Sequence, residues 1–448
     1  MKVGFGIKDI TPRVGVQLYG FGPFLNRVSV GIRERLEARA SYFEGDDGGR
    51  FLLITCDLCT LQPHTCDTVR EIICEKVPSL KPQEIMVECA HTHSGPSTVD
   101  GDFGWGNPDA PYMESLPWKI AQAGIDACAN PVEGTLSSAV VECRHIGLNR
   151  VYDKDAPPLE DVLKPDWEPA HPELTDTVCR VIRFDADGEL RGFWVYFGCH
   201  PVVCCQLTHY IHGDYPAVAI HKLMAENPGV TGLFLQGAQG DVNSGCVHKP
   251  EKESLEALDV FAERFASAIR RGLAAAKPFS DNTVKVVSRK FEFSTRPSFD
   301  RAKLLELKAQ YESCLHDANV DEEAWETRMN MVYLIGVRKM IENMDAGKKP
   351  EITAELQAAR IGELEMLGAP FEIMQAIKND VMAAAKSPQP MVMSLCNGSF
   401  GYAPDNTQLQ KNSYESYMVA FMLRRQPFAN IHNELVQDML QLDNELNQ

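Results

Sequence analysis

The 448-residue chain predicts an α/β fold, a mixed β-sheet flanked by helices. Three observations carry that expectation. Short apolar, strand-like runs recur between stretches with helical spacing. Twice the order is strand, helix, strand, the unit that builds sheets with parallel neighbours. Three of the strands open into loops bearing histidine or aspartate, and ligands of α/β proteins gather beyond the carboxyl ends of strands. At this length one large domain with an insertion, or two domains, is expected. No repeat, low-complexity segment or flexible linker divides the chain, so the expectation is one domain over residues 1–448 with a helical insertion near 298–346.

Residues 1–60 alternate short apolar runs with turn residues and end in the strand Phe51 to Asp57. Val69, Ile72, Ile73 and Val77 lie at helical spacing and predict a helix over 64–77. The apolar run Ile85-Met86-Val87 starts the strand 85–90, which completes the first β-α-β unit. A glycine-rich loop follows over 97–112, including Asp100 to Pro108, then a helix at 113–128 and strands near 137–143 and 177–184. Asp185-Ala186-Asp187-Gly188 signals a hairpin into the strand 192–197. The second unit adds a helix at 215–226 and the strand 232–236, and a long amphipathic helix spans 253–276. Residues 298–346 are rich in charge and helix formers and predict a helical hairpin. Strands at 361–367 and 391–396 and helices at 371–385, 413–425 and 430–445 close the chain.

Composition narrows the function classes. Hydrophobic content of 44% and charged content of 24% are those of a globular protein. A net charge of -18 disfavours nucleic acid and anionic membrane surfaces, which repel it. No stretch is long and apolar enough to span a bilayer, so no stable membrane association is expected. Met1 to Gly6 enter a structured pattern without an apolar leader, which makes the expected location cytoplasmic and the 14 cysteines reduced. Cys56-x-x-Cys59 lacks a second pair and is not read as a zinc knuckle; Cys204-Cys205 is read as two buried thiols.

The most informative stretch is Ala90-His91-Thr92-His93-Ser94-Gly95-Pro96. Side chains alternate along a strand, so His91 and His93 share a face at its end. Two imidazoles there, with a Gly-Pro turn behind, suit a divalent metal. His200, in Gly198-Cys199-His200-Pro201, and Asp241, in Gln239-Gly240-Asp241-Val242-Asn243, end two further strands. For His200, ligand and structural histidine both stand as readings. For Asp214 and Asp241, each preceded by glycine, helix capping or loop fixing stands beside a functional role.

Together these blocks resemble the catalytic domain of the neutral, non-lysosomal ceramidase family. Gly4 to Pro12 resembles the family's Asp-Ile-Thr opening, Ala90 to Pro96 its Thr-His-Thr-His-Ser-Gly-Pro block and Gly198 to Pro201 its Thr-His-Pro block. Gln239 to Asn243 is similar to its Gly-Asp/Asn-x-Ser-Pro-Asn block, Ala369-Pro370-Phe371-Glu372 to Pro-Gly-Glu, and Asn397 to Tyr402 to its tyrosine-bearing loop. The resemblance implies a ceramidase-like α/β domain and one Zn2+ per chain, or another divalent metal. It implies His91, His200, Glu372 and Tyr402 as ligands, a set whose N and O donors suit zinc. It further implies His93 as a catalytic neighbour, Tyr414 as donor to the carbonyl oxygen, and Arg150, in an Asn-Arg element, near the substrate. Asp241 and Asn243 stand in the catalytic block as well.

The chain departs from that family in two ways. Asn243 stands where ceramidases carry a serine near the zinc, and the chain ends soon after the tyrosine blocks, without the immunoglobulin-like domain. The expectation is therefore a zinc-dependent hydrolase of an amide or ester, acting through metal-activated water on a small soluble substrate. The loops around the motifs are polar and glycine-rich, with Phe103 and Trp105 as their large apolar groups. The alternatives are a true ceramidase and a non-catalytic carbohydrate- or lipid-binding protein on the same scaffold. An amidohydrolase-type barrel also places His-x-His after an early strand, but the long insertion and late mixed strands fit eight β-α repeats poorly. Neither substrate identity nor oligomeric state is legible.

Overall fold

In the computed structural model, residues 1–99, 104–153, 157–388 and 390–448 are described. The polypeptide forms not one mixed sheet but three principal ones. In the first, the strands run Ile85–Cys89, Arg50–Cys56, Glu37–Glu44, Lys2–Asp9 and Val132–Glu133. In the second the order is Thr231–Gln236, Glu189–Phe197, Val178–Ala186, Thr135–Glu142 and Lys277–Pro278. The third places Val284–Phe293, Ile352–Ile361, Leu364–Gly368 and Pro390–Met393 in that order. Each sheet repeats one plan, in which an antiparallel hairpin is followed by a helix and a parallel edge strand.

Alternation along the strands explains how three sheets share one interior. Phe51, Leu53 and Met86 of the first sheet, Trp194, Tyr196, Leu233 and Leu235 of the second, and Leu364, Met366, Met391 and Met393 of the third form one inner core. Their neighbours one residue away face outwards to helices. Leu52, Ile54 and Val87 pack on the helices Pro63–Lys76 and Ala110–Ala129. Phe193, Val195 and Phe234 pack on Asp214–Glu226 and Glu251–Ala275, and Leu367 and Val392 on Gln375–Ala384 and Ile431–Leu446. Strands buried on both faces read as continuous apolar runs. Polar ties cross the interior: Trp194 Nε1 donates to Ser41 Oγ at 3.0 Å and Tyr196 Oη to Val392 O at 2.9 Å.

Three expected elements differ, and one strand, Val284–Phe293, was not expected. The strand 361–367 is the turn and return of a hairpin, reversed at Gly362 with φ +56°, where a Cβ would meet Asp281 O at 2.4 Å. Its partner Val284–Phe293 was missed because Ser288, Arg289 and Lys290 break its apolar alternation at a sheet edge. The helix expected from 371 starts at Gln375, because Glu372–Ile373 pair in parallel with Tyr402–Ala403. The helix at 413–425 is a π-turn, Tyr414–Met418, running into the short helix Val419–Met422.

The helical excursion is the antiparallel pair Arg301–Leu315 and Trp325–Asp345. Gly336 lets it lie against the 419–422 segment, since a Cβ there would fall 2.0 Å from Phe421 O. Met329 and Val332 thereby pack with Tyr402, Val419 and Met422. Among the described residues, no helix is long and apolar enough to cross a membrane. Asp100, Gly101, Asp102 and Phe103 of the glycine-rich loop lie outside the described residues.

Candidate functional site

The carboxyl ends of the parallel strands of all three sheets meet at one cavity. His91 leaves the end of Ile85–Cys89 in a left-handed conformation, φ +73°, which costs a residue with a Cβ about 1–2 kcal/mol. Its Nδ1–H donates to Cys59 O at 2.7 Å, with Cys59 Sγ at 3.6 Å from the same nitrogen. His200 follows Glu189–Phe197, and Val242 O accepts both its backbone N–H at 2.9 Å and its Nδ1–H at 3.1 Å. Carbonyl partners at Nδ1 assign each ring the tautomer whose Nε2 is a bare lone pair.

Both lone pairs point at one carboxylate oxygen. Glu372 Oε2 lies 3.2 Å from His91 Nε2 and 3.1 Å from His200 Nε2. Glu372 and Tyr402 are direct partners on their two-residue strands, which brings two residues thirty apart in sequence to one rim. All four are buried. His93 approaches from the other side of His91, Nε2 to Nε2 at 3.2 Å, and its Nδ1 has no partner.

Two bare nitrogens and a carboxylate in one dry place require a positive charge. Burial works against the charged form of every group, yet Cys59 and Glu372 beside it hold His91 well above the ordinary imidazole range. Burial likewise opposes the Glu372 carboxylate, but His91 and His200 hold it well below its usual range. His200 falls to about 4 through burial, with the charges of His91 and Arg150 acting the same way. His93 falls well below the ordinary range through burial and then through His91 and His200. One proton on His91 thus answers the carboxylate in the metal-free chain. Ligating atoms of His91, His200 and Glu372 all lie within 4.8 Å of one another, and this N,N,O set also fits a divalent metal in that proton's place.

The remaining expected residues divide into those at the cavity and those behind it. Tyr402 lies 6.4 Å from His200, centroid to centroid, with the Arg150 guanidinium 5.0 Å over its ring. Arg150 Nη2 donates to Glu415 Oε1 at 3.0 Å and to Gly240 O at 2.8 Å. Tyr414, 42% exposed, stands on the cavity rim, 6.3 Å from the Tyr402 ring. Asp241 is not at the cavity. Its carboxylate accepts from Gln375 N at 2.8 Å and Asn149 Nδ2 at 3.0 Å, which ties the Asn149-Arg150 segment to the helix that follows Glu372. Asn243 pairs with Leu148 on a short antiparallel ladder and does not line the cavity. The neighbouring Asp214 fixes its loop by accepting from Val203 N and Cys204 N.

The structure adds residues that the sequence did not assign to the site. Cys59 and Tyr19 line the cavity. Arg27, 2% exposed, donates to His93 O at 3.2 Å and to Cys205 O at 3.1 Å, so it clamps the histidine loop. A lone arginine in a polar loop looks like any surface residue. The cavity holds about 90 Å³. Beside its polar groups the lining includes Trp105, Val419, Met422 and Leu423, so apolar groups other than those expected of the glycine-rich loop face the site.

The profile of the family described as "Neutral/alkaline non-lysosomal ceramidase, N-terminal" matches residues 1–247. "Neutral ceramidase B" of Dictyostelium discoideum is 24% identical over 262 residues, a match covering 54% of this chain and only 35% of that protein. The crystal structure of neutral ceramidase from Pseudomonas aeruginosa superposes with TM-score 0.73 at 19% identity, over 99% of this chain and 74% of that one. A "Ceramidase complexed with C2" gives the same score and identity over 100% and 75%. At such identity the likeness shows the fold.

Proposed function

Since the chain belongs to the neutral/alkaline non-lysosomal ceramidase family, we propose that it is a zinc-dependent hydrolase of an amide or ester bond in a small substrate. One observation carries the reading: His91 Nε2 and His200 Nε2, both with Nδ1 tied to backbone carbonyls, converge on Glu372 Oε2 at 3.1–3.2 Å. Tyr402, paired with Glu372, is the fourth ligand in this reading. A divalent cation held there supplies a Lewis acid that polarises a carbonyl and acidifies water.

The chain's own groups do the rest. His93, held neutral by burial and by the neighbouring imidazoles, accepts a proton from the attacking water and returns it to the leaving group. Tyr414, a phenol at ordinary pH, donates to the developing oxyanion from the rim. Arg150 holds the Tyr402 ring in place and is anchored by Glu415. Asp241 positions Arg150, whose backbone N–H donates to Asp241 O at 2.9 Å.

The cavity size favours a small acyl group. About 90 Å³ is small beside the 300–1,000 Å³, roughly, of drug-sized pockets. The apolar part of the lining favours an alkyl substituent on the substrate. Elemental analysis tests the metal, and a series of N-acyl amides and esters of increasing chain length tests the substrate. Near-stoichiometric zinc, lost in His200→Ala, is expected, with turnover falling as the acyl chain lengthens. Full metal retention in both His91→Ala and His200→Ala overturns the first part, and faster hydrolysis of long-chain ceramide overturns the second.

A further inference from the structure

We propose that the open edge of the strand Thr135–Glu142, with the groove beside it, takes an acidic partner peptide as an added strand. The edge is only half covered. Lys277–Pro278 pair with Ser138 and Ser137, and among the described residues no strand pairs with residues 139–142 on that side. Backbone N–H and C=O groups turn to alternate sides along a strand. Leu136 O faces the open edge, where it accepts from Phe279 N at 2.9 Å, and Glu142 O faces it too, accepting from Arg271 Nη2 at 2.7 Å. Cys143 N turns the other way, to Thr177 O. Val140 N–H, Val140 C=O and Glu142 N–H therefore face outwards with no strand to receive them, which is a template for β-augmentation.

Charge selects the occupant. The groove, about 1000 Å³, lies between the end of this strand and the helix Glu251–Ala275. Helix residues from Asp259 to Ala275 line it, a length of about 24 Å at about 1.5 Å per residue. Its carboxylates are already answered: Glu142 by Arg144 at 2.6 Å, Asp259 by Arg33 at 2.6 Å and Glu263 by Arg270 at 2.9 Å. Two of its arginines are not. Arg264 donates to the carbonyls of His145, Val162 and Lys164, and Arg271 to Glu142 O and Ser267 Oγ. Among the described residues neither pairs with a carboxylate. Burial lowers the Arg264 guanidinium from its ordinary range, and only the Cys143 thiol acts against that. In a chain of net charge -18, two such cations in one groove call for an anionic guest.

The two faces of the edge set the guest's pattern. Val141 packs against the core under the helix, on the side of the arginines, whereas Val140, on the opposite face, is 54% exposed. Side chains of an added strand alternate as well, so its acidic residues face Arg264 and Arg271 and its apolar residues lie beside Val140. The fitting partner is a segment of about seven residues, at about 3.4 Å each, that alternates Asp or Glu with Val or Ile.

The probe is a fluorescein-labelled heptapeptide of alternating Asp and Val, titrated into the full chain at low salt and followed by anisotropy. Saturable one-to-one binding is expected, weakening as salt rises. Arg271→Glu should weaken it by at least about tenfold, the scale of one lost charge-assisted hydrogen bond. Val140→Pro should do the same through the backbone alone. Its N–H faces away from Val178–Ala186, so proline deletes the edge donor and leaves the bonds to that strand in place. Circular dichroism and melting check that both variants fold. A peptide N-methylated at alternate residues is the second route should Val140→Pro misfold, and it should also fail to bind. No saturable binding to the parent overturns the proposal, as does undiminished binding of both the N-methylated peptide and Val140→Pro. A concentration-dependent dimer that Val140→Pro dissolves overturns it too, since a second copy would then fill the edge. None of these readouts depends on the hydrolase reading.

Discussion

Substituting Gly20 with alanine probes His93 without touching any candidate ligand. Gly20 has φ +110°, and a Cβ there would lie 2.5 Å from His93 Cγ and Nδ1. Ordinary contact begins near 3.4 Å, so the imidazole or the loop must yield by about 1 Å. A displacement of that size in a reacting group costs about 100-fold in rate, or about 2.7 kcal/mol in the barrier. The left-handed backbone adds about 1–2 kcal/mol of destabilisation, small enough for the chain to stay folded. Metal content should remain at the parent level, because His91, His200 and Glu372 are not in the clash. The assay is kcat/KM on a short N-acyl substrate for Gly20→Ala, His93→Ala and the pair, with metal content and thermal melting alongside. In the His93→Ala background the ring contacts are gone and only the 2.9 Å approach to the His93 Cβ remains, so Gly20→Ala should cost much less further activity. A folded, metal-loaded Gly20→Ala within about threefold of the parent, or an equal loss in both backgrounds, refutes the reasoning.

Three other predictions follow from the same structure. Glu365, fully buried, is pushed up to about 8 by burial and by Asp443, so the folded chain holds a proton that the unfolded chain releases near the ordinary 4.5 of a glutamate. That contribution to stability is complete below the unfolded value and is lost as pH rises through about 8, with a slope near 1.4 kcal/mol per pH unit between. Glu365→Gln should therefore flatten the denaturant-unfolding free energy between pH 5.5 and 8 (about 3 kcal/mol relative to the parent), and parallel profiles would count against it. Stripping the metal should lower the melting temperature by several degrees, since an ion at a thousand times its Kd contributes about 4 kcal/mol; His200→Ala should abolish the difference between stripped and loaded protein. Arg150→Met leaves the buried Glu415 without a cation, held only by Ser413 Oγ, for about 3 kcal/mol of destabilisation. Arg150→Met with Glu415→Gln should recover the melting temperature but not turnover, whereas recovery of both would remove Arg150 from the reaction.

What the sequence by itself determined is the set of local elements and the loops between them. Apolar runs such as Phe51 to Cys56 and Phe193 to Phe197 are strands because nothing else buries both faces of so short a segment. The His91 and His200 loops were legible as motifs at strand ends, and the Glu372 and Tyr402 segments only through the family resemblance. Tertiary structure alone decided how they meet. Whether three hairpin–helix–strand units build one sheet or three is a matter of which faces pack, and Trp194, Leu53 and Met366 look alike in sequence whether they face helices or one another. The pairing of Glu372 with Tyr402 depends on the register of two-residue strands, far too short to leave a periodic signal. The apolar part of the lining arises because the excursion near 301–345 presses Val419 and Met422 towards the histidines, a contact between segments with no shared pattern. Cys59, Tyr19 and Arg27 became visible only there, because a residue's chemistry is written in the sequence but its neighbours are set by packing.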